Sequence, residues 1–120
     1  MSGILVRHAS AGDRDDWEGD DRLRPLDARG RRQAEELVDL LLPHRVRRVV
    51  SSPYVRCVET VEPLAAAVGV ELELDERLAE GAGGAAAELL AEDGIVVCTH
   101  GDVASALAGC ELKKAGFVLL

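Results

Sequence analysis

Two histidines follow apolar runs that have the composition of buried strands. The run Ile4–Val6 leads directly into Arg7-His8, and the run Ile95–Cys98 leads into Thr99-His100-Gly101. Apolar runs without polar alternation are typical of strands that are buried on both faces of a parallel sheet. The carboxyl ends of parallel strands meet at one edge, where open α/β sheets bind their ligands. We therefore expect both histidines at one site.

A third apolar run, centred on Val49-Val50, is followed within a few residues by Arg56, which we expect at the same edge. Two guanidinium groups and two imidazoles in one pocket would form a site for a tetrahedral dianion. Arginine matches phosphate oxygens bidentately and keeps its charge. A neutral imidazole can attack phosphorus as a covalent nucleophile. Glu80 could then supply the proton that a leaving group needs.

Each of these residues also has an ordinary structural interpretation. His8 could be a hydrogen-bonded structural histidine, and Glu80 could be a solvated loop charge in an acidic half of the chain. Arg56 could be a surface helix residue that pairs with Glu59 or Glu62. The occurrence of arginine and histidine at three strand ends together favours the anion site over these separate interpretations.

The segment His8–Leu26 is polar and predicts a long loop, and long loops are often functional. Its part Asp13–Asp21 holds six acidic residues and one arginine, which indicates a solvated stretch that offsets nearby arginines. Trp17 could alternatively lie at the pocket rim and stack on a base. Arg24 could reach the substrate, or it could pair with a neighbouring carboxylate of Asp20, Asp21 or Asp27.

Periodicity and turn residues predict strands and helices in alternation. We expect strands at 4–6, 46–51, 70–74, 95–99 and 117–120, and helices at 28–42, 54–68, 85–92 and 103–108. Asp27 is a predicted N-cap, and Pro63 should kink or interrupt the second helix. Asp102 should cap the last helix or orient a pocket side chain. This order predicts a single α/β domain over residues 1–120, a three-layer α/β/α sandwich with a mostly parallel sheet.

Composition narrows the classes of partner. The chain of 120 residues has a net charge of −8, which argues against non-specific binding to nucleic acid or to a membrane. Arginine is concentrated in residues 1–60, so a local site for a small anion remains compatible with that charge.

The three cysteines, without a C-x-x-C motif, and the absence of a signal-type apolar run predict a reducing, cytoplasmic location. Cys-x5-Arg, the motif of cysteine phosphatases, does not occur.

Five segments in order resemble the histidine phosphatase (phosphoglycerate-mutase-like) superfamily. They are Arg7-His8-Ala9; Arg24-Pro25-Leu26 with Gly30 and Gln33-Ala34; Ser52-Pro53-x-x-Arg56-x-x-x-Thr60; Leu78-x-Glu80; and Thr99-His100-Gly101. The resemblance extends over nearly the whole chain. It is nearest to the small SixA-type phosphohistidine phosphatases, and the chain is also similar to the histidine phosphatase domain attached to some Nudix-type hydrolases. The resemblance implies the three-layer fold of that superfamily.

The resemblance also implies roles for the site residues. His8 would be the nucleophile that becomes phosphorylated, and Arg7, Arg56 and His100 would clamp the transferring phosphoryl group. Glu80 would be the proton donor. No metal or other cofactor is expected, because arginines neutralise the charge. The expected substrate is a phosphohistidine protein, a nucleotide or another small phosphate ester, and a phosphate-binding module with little turnover is the alternative outside enzymes.

Overall fold

The computed structural model describes residues 3–79 and 83–120, so Glu80 lies outside the described residues. The strands are β1 (Ile4–Arg7), β2 (Arg48–Ser51), β3 (Leu72–Leu74), β4 (Ile95–Thr99) and β5 (Phe117–Leu119). The helices are α1 (Ala28–Leu41), α2 (Val55–Val68), α3 (Gly83–Leu90) and α4 (Gly101–Ala108). Short 3-10 turns lie at Arg14–Asp16, Asp21–Leu23, Leu42–His44 and Glu76–Leu78. Every predicted helix and strand is present, with ends that differ by a few residues.

Within the described residues the strands form one sheet in the order β3-β2-β4-β1-β5. The first four run parallel, and β5 runs antiparallel beside β1. The register of β1 against β4 pairs Val6 with Cys98 and Arg7 with Thr99, so the residues that follow both strands emerge side by side. The predicted mostly parallel sheet is confirmed.

The two faces of the sheet are covered by different helices. Leu37 of α1 and Leu64 of α2 pack with Val6 and Val96 in one buried cluster. On the other face, side chains of α3 and α4 pack with the alternate strand residues, in a cluster that includes Leu5, Ala86, Leu90, Val97 and Ala104. Alternating residues of a strand point to opposite faces, which explains how one apolar run supplies both cores. These two clusters confirm the three-layer sandwich.

Asp27 caps α1 as predicted and also holds the preceding loop. Its Oδ1 accepts a hydrogen bond of 2.7 Å from the Gly30 N–H at the helix start. Its Oδ2 accepts from the Ser10 hydroxyl at 2.8 Å and from the Gly12 N–H at 3.0 Å. These bonds fix the loop that follows His8, so one carboxylate links the first helix turn to the segment beside the candidate site.

Two local expectations need correction. Helix α2 continues through Pro63, because the adjacent Val61, Leu64 and Ala65 are buried and tertiary packing offsets the lost hydrogen bond. Helix α4 begins at Gly101 with His100 as its N-cap, so Asp102 lies within the first turn and does not cap the helix.

Two further observations concern the cysteines and the helices. Cys57 and Cys98 are buried, as expected for small apolar side chains, but Cys110 is exposed; all three are free thiols. Across the described residues, no helix is both long enough and apolar enough to cross a membrane.

We predict that Gly30→Ala destabilises the protein. A Cβ at Gly30 would lie 1.9 Å from the carbonyl oxygen of Ser10, and a backbone atom cannot move aside cheaply. We expect the free energy of unfolding in urea to fall by about 2 kcal/mol. The matched control is Arg29→Ala at the neighbouring exposed position, which should change stability little. Equal stability of the two variants would contradict the close contact between α1 and the loop.

Candidate active site

The carboxyl ends of the strands open into a cavity of about 770 Å³. Arg7 and His8 follow β1, Arg56 lies in the first turn of α2, and His100 follows β4. All four line this cavity, and so does Arg24 from the loop before α1. The structure therefore brings together each described residue that the sequence placed at the site.

His8 is held in one tautomer. Its Nδ1 lies 2.8 Å from the Ala9 carbonyl oxygen, which can only accept, so Nδ1 carries the hydrogen and Nε2 carries the lone pair. Burial, together with the positive charges of Arg56, His100 and Arg7, lowers the pKa of His8 from 6.5 to about 4, although the Ala9 hydrogen bond opposes this shift. The imidazole is therefore neutral at neutral pH.

His100 is fixed by polar and aromatic neighbours. Its Nε2 lies 2.9 Å from the Ser52 hydroxyl, which also accepts a hydrogen bond of 3.3 Å from the Tyr54 N–H. The Tyr54 ring meets the His100 ring edge to face at 4.6 Å between centroids. The ring centroids of His8 and His100 are 5.9 Å apart. The two imidazoles thus lie near each other on one wall of the cavity.

Arg56 is almost completely buried, with 3% of its surface exposed. Its Nη1 donates to the Asp21 carbonyl oxygen at 2.9 Å, and its Nη2 donates to Asp21 Oδ2 at 3.1 Å. The guanidinium also lies over the Tyr54 ring at 4.8 Å. The interpretation of Arg56 as a surface residue paired with Glu59 or Glu62 is therefore wrong, and Glu59 instead accepts a hydrogen bond from the Leu26 N–H.

Asp21 also pairs with Arg24. Of the three carboxylates predicted as possible partners of Arg24, those of Asp20, Asp21 and Asp27, the structure therefore selects Asp21. Arg24 Nε donates to Asp21 Oδ1 at 3.0 Å, and Arg24 Nη1 donates to the Ala11 carbonyl at 2.7 Å. Partial burial would raise the pKa of Asp21, but the Arg24 hydrogen bond and the charges of Arg56, Arg24 and Arg14 outweigh it and lower the pKa. Asp21 is therefore ionised and forms ion pairs with both Arg24 and Arg56. Whether Arg24 also binds substrate stays a prediction.

Arg7 lies flat against the start of α4. Its Nη1 donates to the Leu112 carbonyl oxygen at 2.5 Å. A Cβ at Gly101 would lie 2.7 to 2.9 Å from the Nε, Cζ and Nη2 atoms of Arg7, so glycine is needed for this approach. In the described part of the chain, the Nε atoms of Arg7 and Arg56 are buried side-chain donors without a hydrogen-bond partner. Unsatisfied guanidinium nitrogens in a cavity wall are typical of a site prepared for an anion.

The remaining candidates divide between the cavity and the surface. Asp102 lines the cavity, together with Ser105 and Glu111. Trp17 does not line it, and its indole N–H instead donates to the Asp20 carbonyl at 3.0 Å. Among the described residues, no three His, Cys, Asp or Glu side chains form a group that could hold a metal ion.

Comparison with known proteins agrees with this geometry. The model of the family described as histidine phosphatase superfamily (branch 1) matches residues 4–93. The chain belongs to the histidine phosphatase superfamily. The resemblance predicted from the five sequence segments is confirmed.

Individual known proteins align over different shares of the chain. An 8-oxo-(d)GTP phosphatase from Mycolicibacterium smegmatis is 50% identical over 62 residues, which are 52% of this chain and 19% of that protein. The chain thus matches about a fifth of the length of that relative. A SixA protein from Agrobacterium tumefaciens has a TM-score of 0.78 at 22% identity, covering 98% of this chain and 88% of that one. The protein histidine phosphatase SixA complexed with tungstate has a TM-score of 0.76 at 22% identity, covering 91% and 75%.

Thr60 is a site residue to which sequence reasoning gave no role. Its side chain is fully buried on α2. Its hydroxyl accepts a hydrogen bond of 2.9 Å from the Ala9 N–H and donates at 2.6 Å to the Arg56 carbonyl. Thr60 thereby ties the backbone beside His8 to the helix that carries Arg56. Its place in the Ser52-to-Thr60 segment was the available signal, but its partner Ala9, in the loop after the first strand, is visible only in three dimensions.

We predict that Thr60→Val lowers both stability and activity, whereas Thr60→Ser retains both. Valine has the same shape but leaves the buried Ala9 N–H without an acceptor, which costs about 2 kcal/mol of unfolding free energy. Serine keeps the hydroxyl and is the matched control. Urea denaturation and aryl phosphate hydrolysis measure the two effects. Equal behaviour of the valine and serine variants would show that the hydrogen bond does not hold His8 in place.

The neutral state of His8 predicts a pH-dependent stability. The unfolded chain takes up a proton at His8 as the pH falls through 6.5, while the folded state resists protonation until about pH 4. Between pH 7.5 and pH 4.5, wild type should therefore lose about 2 to 3 kcal/mol of unfolding free energy relative to His8→Asn. The control His44→Asn replaces an exposed histidine and keeps His8, so it should retain the loss that depends on His8. A pH-independent difference between wild type and His8→Asn would contradict the depressed pKa.

Proposed function

We propose that this protein is a metal-independent phosphatase that hydrolyses its substrate through a phosphohistidine at His8. The observation that carries the proposal is the His8 side chain, neutral and held by its Nδ1–H on the Ala9 carbonyl in a cavity lined by arginine. A fixed, unprotonated Nε2 is the form of imidazole that attacks phosphorus.

In the first step, Nε2 of His8 forms a bond to phosphorus while the bond from phosphorus to the leaving atom breaks. The guanidinium groups of Arg7 and Arg56 and the imidazole of His100 stabilise the charge that develops on the phosphoryl oxygens. The leaving atom needs a proton, and Glu80 remains the predicted donor. Support for that role comes from Ala79, the preceding residue, which lines the cavity.

In the second step, a water molecule attacks the phosphorus of the phosphohistidine. The bond between phosphorus and Nε2 breaks, inorganic phosphate leaves, and the lone pair returns to Nε2 of His8. The conjugate base of the donor acid accepts the proton that the water releases. Both steps balance without a cofactor or a second substrate.

The comparisons support two substrate classes. The fold resembles SixA proteins, including one named as a protein histidine phosphatase, which favours a phosphohistidine protein. The 50% identity over 62 residues to an 8-oxo-(d)GTP phosphatase favours a nucleotide or a related small phosphate ester. The position of Trp17 away from the cavity lining gives no support to base stacking by that residue. Comparison of kcat/KM for a phosphohistidine peptide and for nucleotides distinguishes the two classes.

The first test is turnover of an aryl phosphate with and without chelator. We expect activity to survive chelation, because the charge-stabilising groups are arginines and histidine. In His8→Asn, kcat should fall by about three orders of magnitude or more, since the nucleophile is lost. The control His44→Asn replaces an exposed histidine and should retain wild-type kcat.

Each other outcome excludes a specific part of the proposal. Activity that is abolished by chelator would contradict metal independence. Full activity in His8→Asn would contradict the phosphohistidine. Phosphate binding without turnover of aryl phosphate, phosphohistidine peptide or nucleotide would favour a binding module.

A further inference from the structure

A second cavity of about 420 Å³ adjoins the one already described. The two share the side chains of Arg7, His8, Arg14 and Arg24, so they are contiguous around the nucleophile. The smaller cavity is additionally lined by Lys114 and by a short stretch of the loop after β1, which comprises Ala11, Gly12 and Asp13. The proposed mechanism uses the first cavity and assigns nothing to the second.

The second cavity is strongly cationic. Among the described residues, four basic side chains line it, those of Arg7, Arg14, Arg24 and Lys114, against one carboxylate, that of Asp13. The chain as a whole has a net charge of −8, so the positive charge of this cavity lining is opposite in sign to that of the whole chain. Clefts lined by one sign of charge raise the local concentration of ligands of the opposite sign.

These cations fall into two groups, those held by hydrogen bonds and those exposed to solvent. The Arg7 and Arg24 guanidiniums donate to backbone carbonyls and are held in place. Arg14 has 72% of its side chain exposed and reaches Asp21 only at 3.8 Å, and Lys114 is also exposed. Long exposed cationic side chains at a cavity mouth can close on an anion without displacing a buried partner.

Among the described residues, more acidic side chains line the first cavity than the second. Asp21, Asp102 and Glu111 line the first cavity, whereas Asp13 lines the second. A substrate with two anionic groups would therefore be repelled from the Asp102 and Glu111 side and attracted toward Arg14 and Lys114. The distribution of charge thus selects one direction for a second anion.

We infer that the substrate carries a second phosphate next to the one that is transferred, and that the second cavity binds this second phosphate. This inference rests on the proposed function for the transferred phosphoryl group. It narrows the substrate to a compound with two neighbouring phosphates, as in a diphosphate. The second phosphate would be held by Arg14, Arg24 and Lys114 while His8 faces the first.

The test is a calorimetric titration with methylenediphosphonate, a diphosphate that cannot be hydrolysed, and with methylphosphonate, which has one anionic group. Wild type should bind the diphosphonate about tenfold more tightly, since a second charge-assisted contact set is engaged. Lys114→Ala should weaken diphosphonate binding by about fivefold and methylphosphonate binding by less than about twofold. Lys113→Ala is the matched control, because it removes the same charge one residue away and does not line either cavity.

Each result decides the inference. A diphosphonate preference that Lys114→Ala reduces and Lys113→Ala leaves intact would support it. Equal affinities of wild type for the two ligands would overturn it, and so would equal effects of the two lysine variants. Because the readout is binding, a failure here is distinguishable from failure of the proposed function, which the aryl phosphate assay with His8→Asn detects separately.

Discussion

Two buried guanidinium groups, those of Arg24 and Arg56, share the carboxylate of Asp21. A guanidinium that is removed from water without a partner destabilises a fold by several kcal/mol. The shared Asp21 carboxylate offsets this penalty, so both arginines can lie in the cavity wall. Asp21 belongs to the loop between β1 and α1, and that loop must close over the sheet edge to deliver it. The closure depends in turn on Asp27 and on the close approach of Gly30 to Ser10.

The same charges that would attract a phosphate keep His8 neutral. Burial and the positive charges around His8 lower its pKa to about 4, so the imidazole is neutral where a protonated ring would be unable to attack. Arg7 can lie this close to the start of α4 because Gly101 lacks a side chain. The attraction of an anion and the neutral state of His8 are therefore two consequences of one arrangement of cations after β1, β2 and β4.

The fold and most of the site were predictable, because buried parallel strands have uninterrupted apolar sequences and the residues that follow them share one edge. Arg7, His8, Arg56 and His100 were found in this way. The partner of Arg56 was not, since spacing on α2 offered only glutamates of the same helix as candidate partners and gave no sign of Asp21, 35 residues away in the sequence. Contacts between distant loops depend on tertiary closure, which local patterns do not encode.

The measurement that tests the central claim most directly is mass spectrometry of the protein after rapid quenching at alkaline pH during turnover of an aryl phosphate. The account predicts that one phosphoryl group appears on the peptide that contains His8, that acid removes it, and that His8→Asn never acquires it. A phosphoryl group on another residue, or none while wild type turns over substrate, would contradict a mechanism through phosphohistidine at His8.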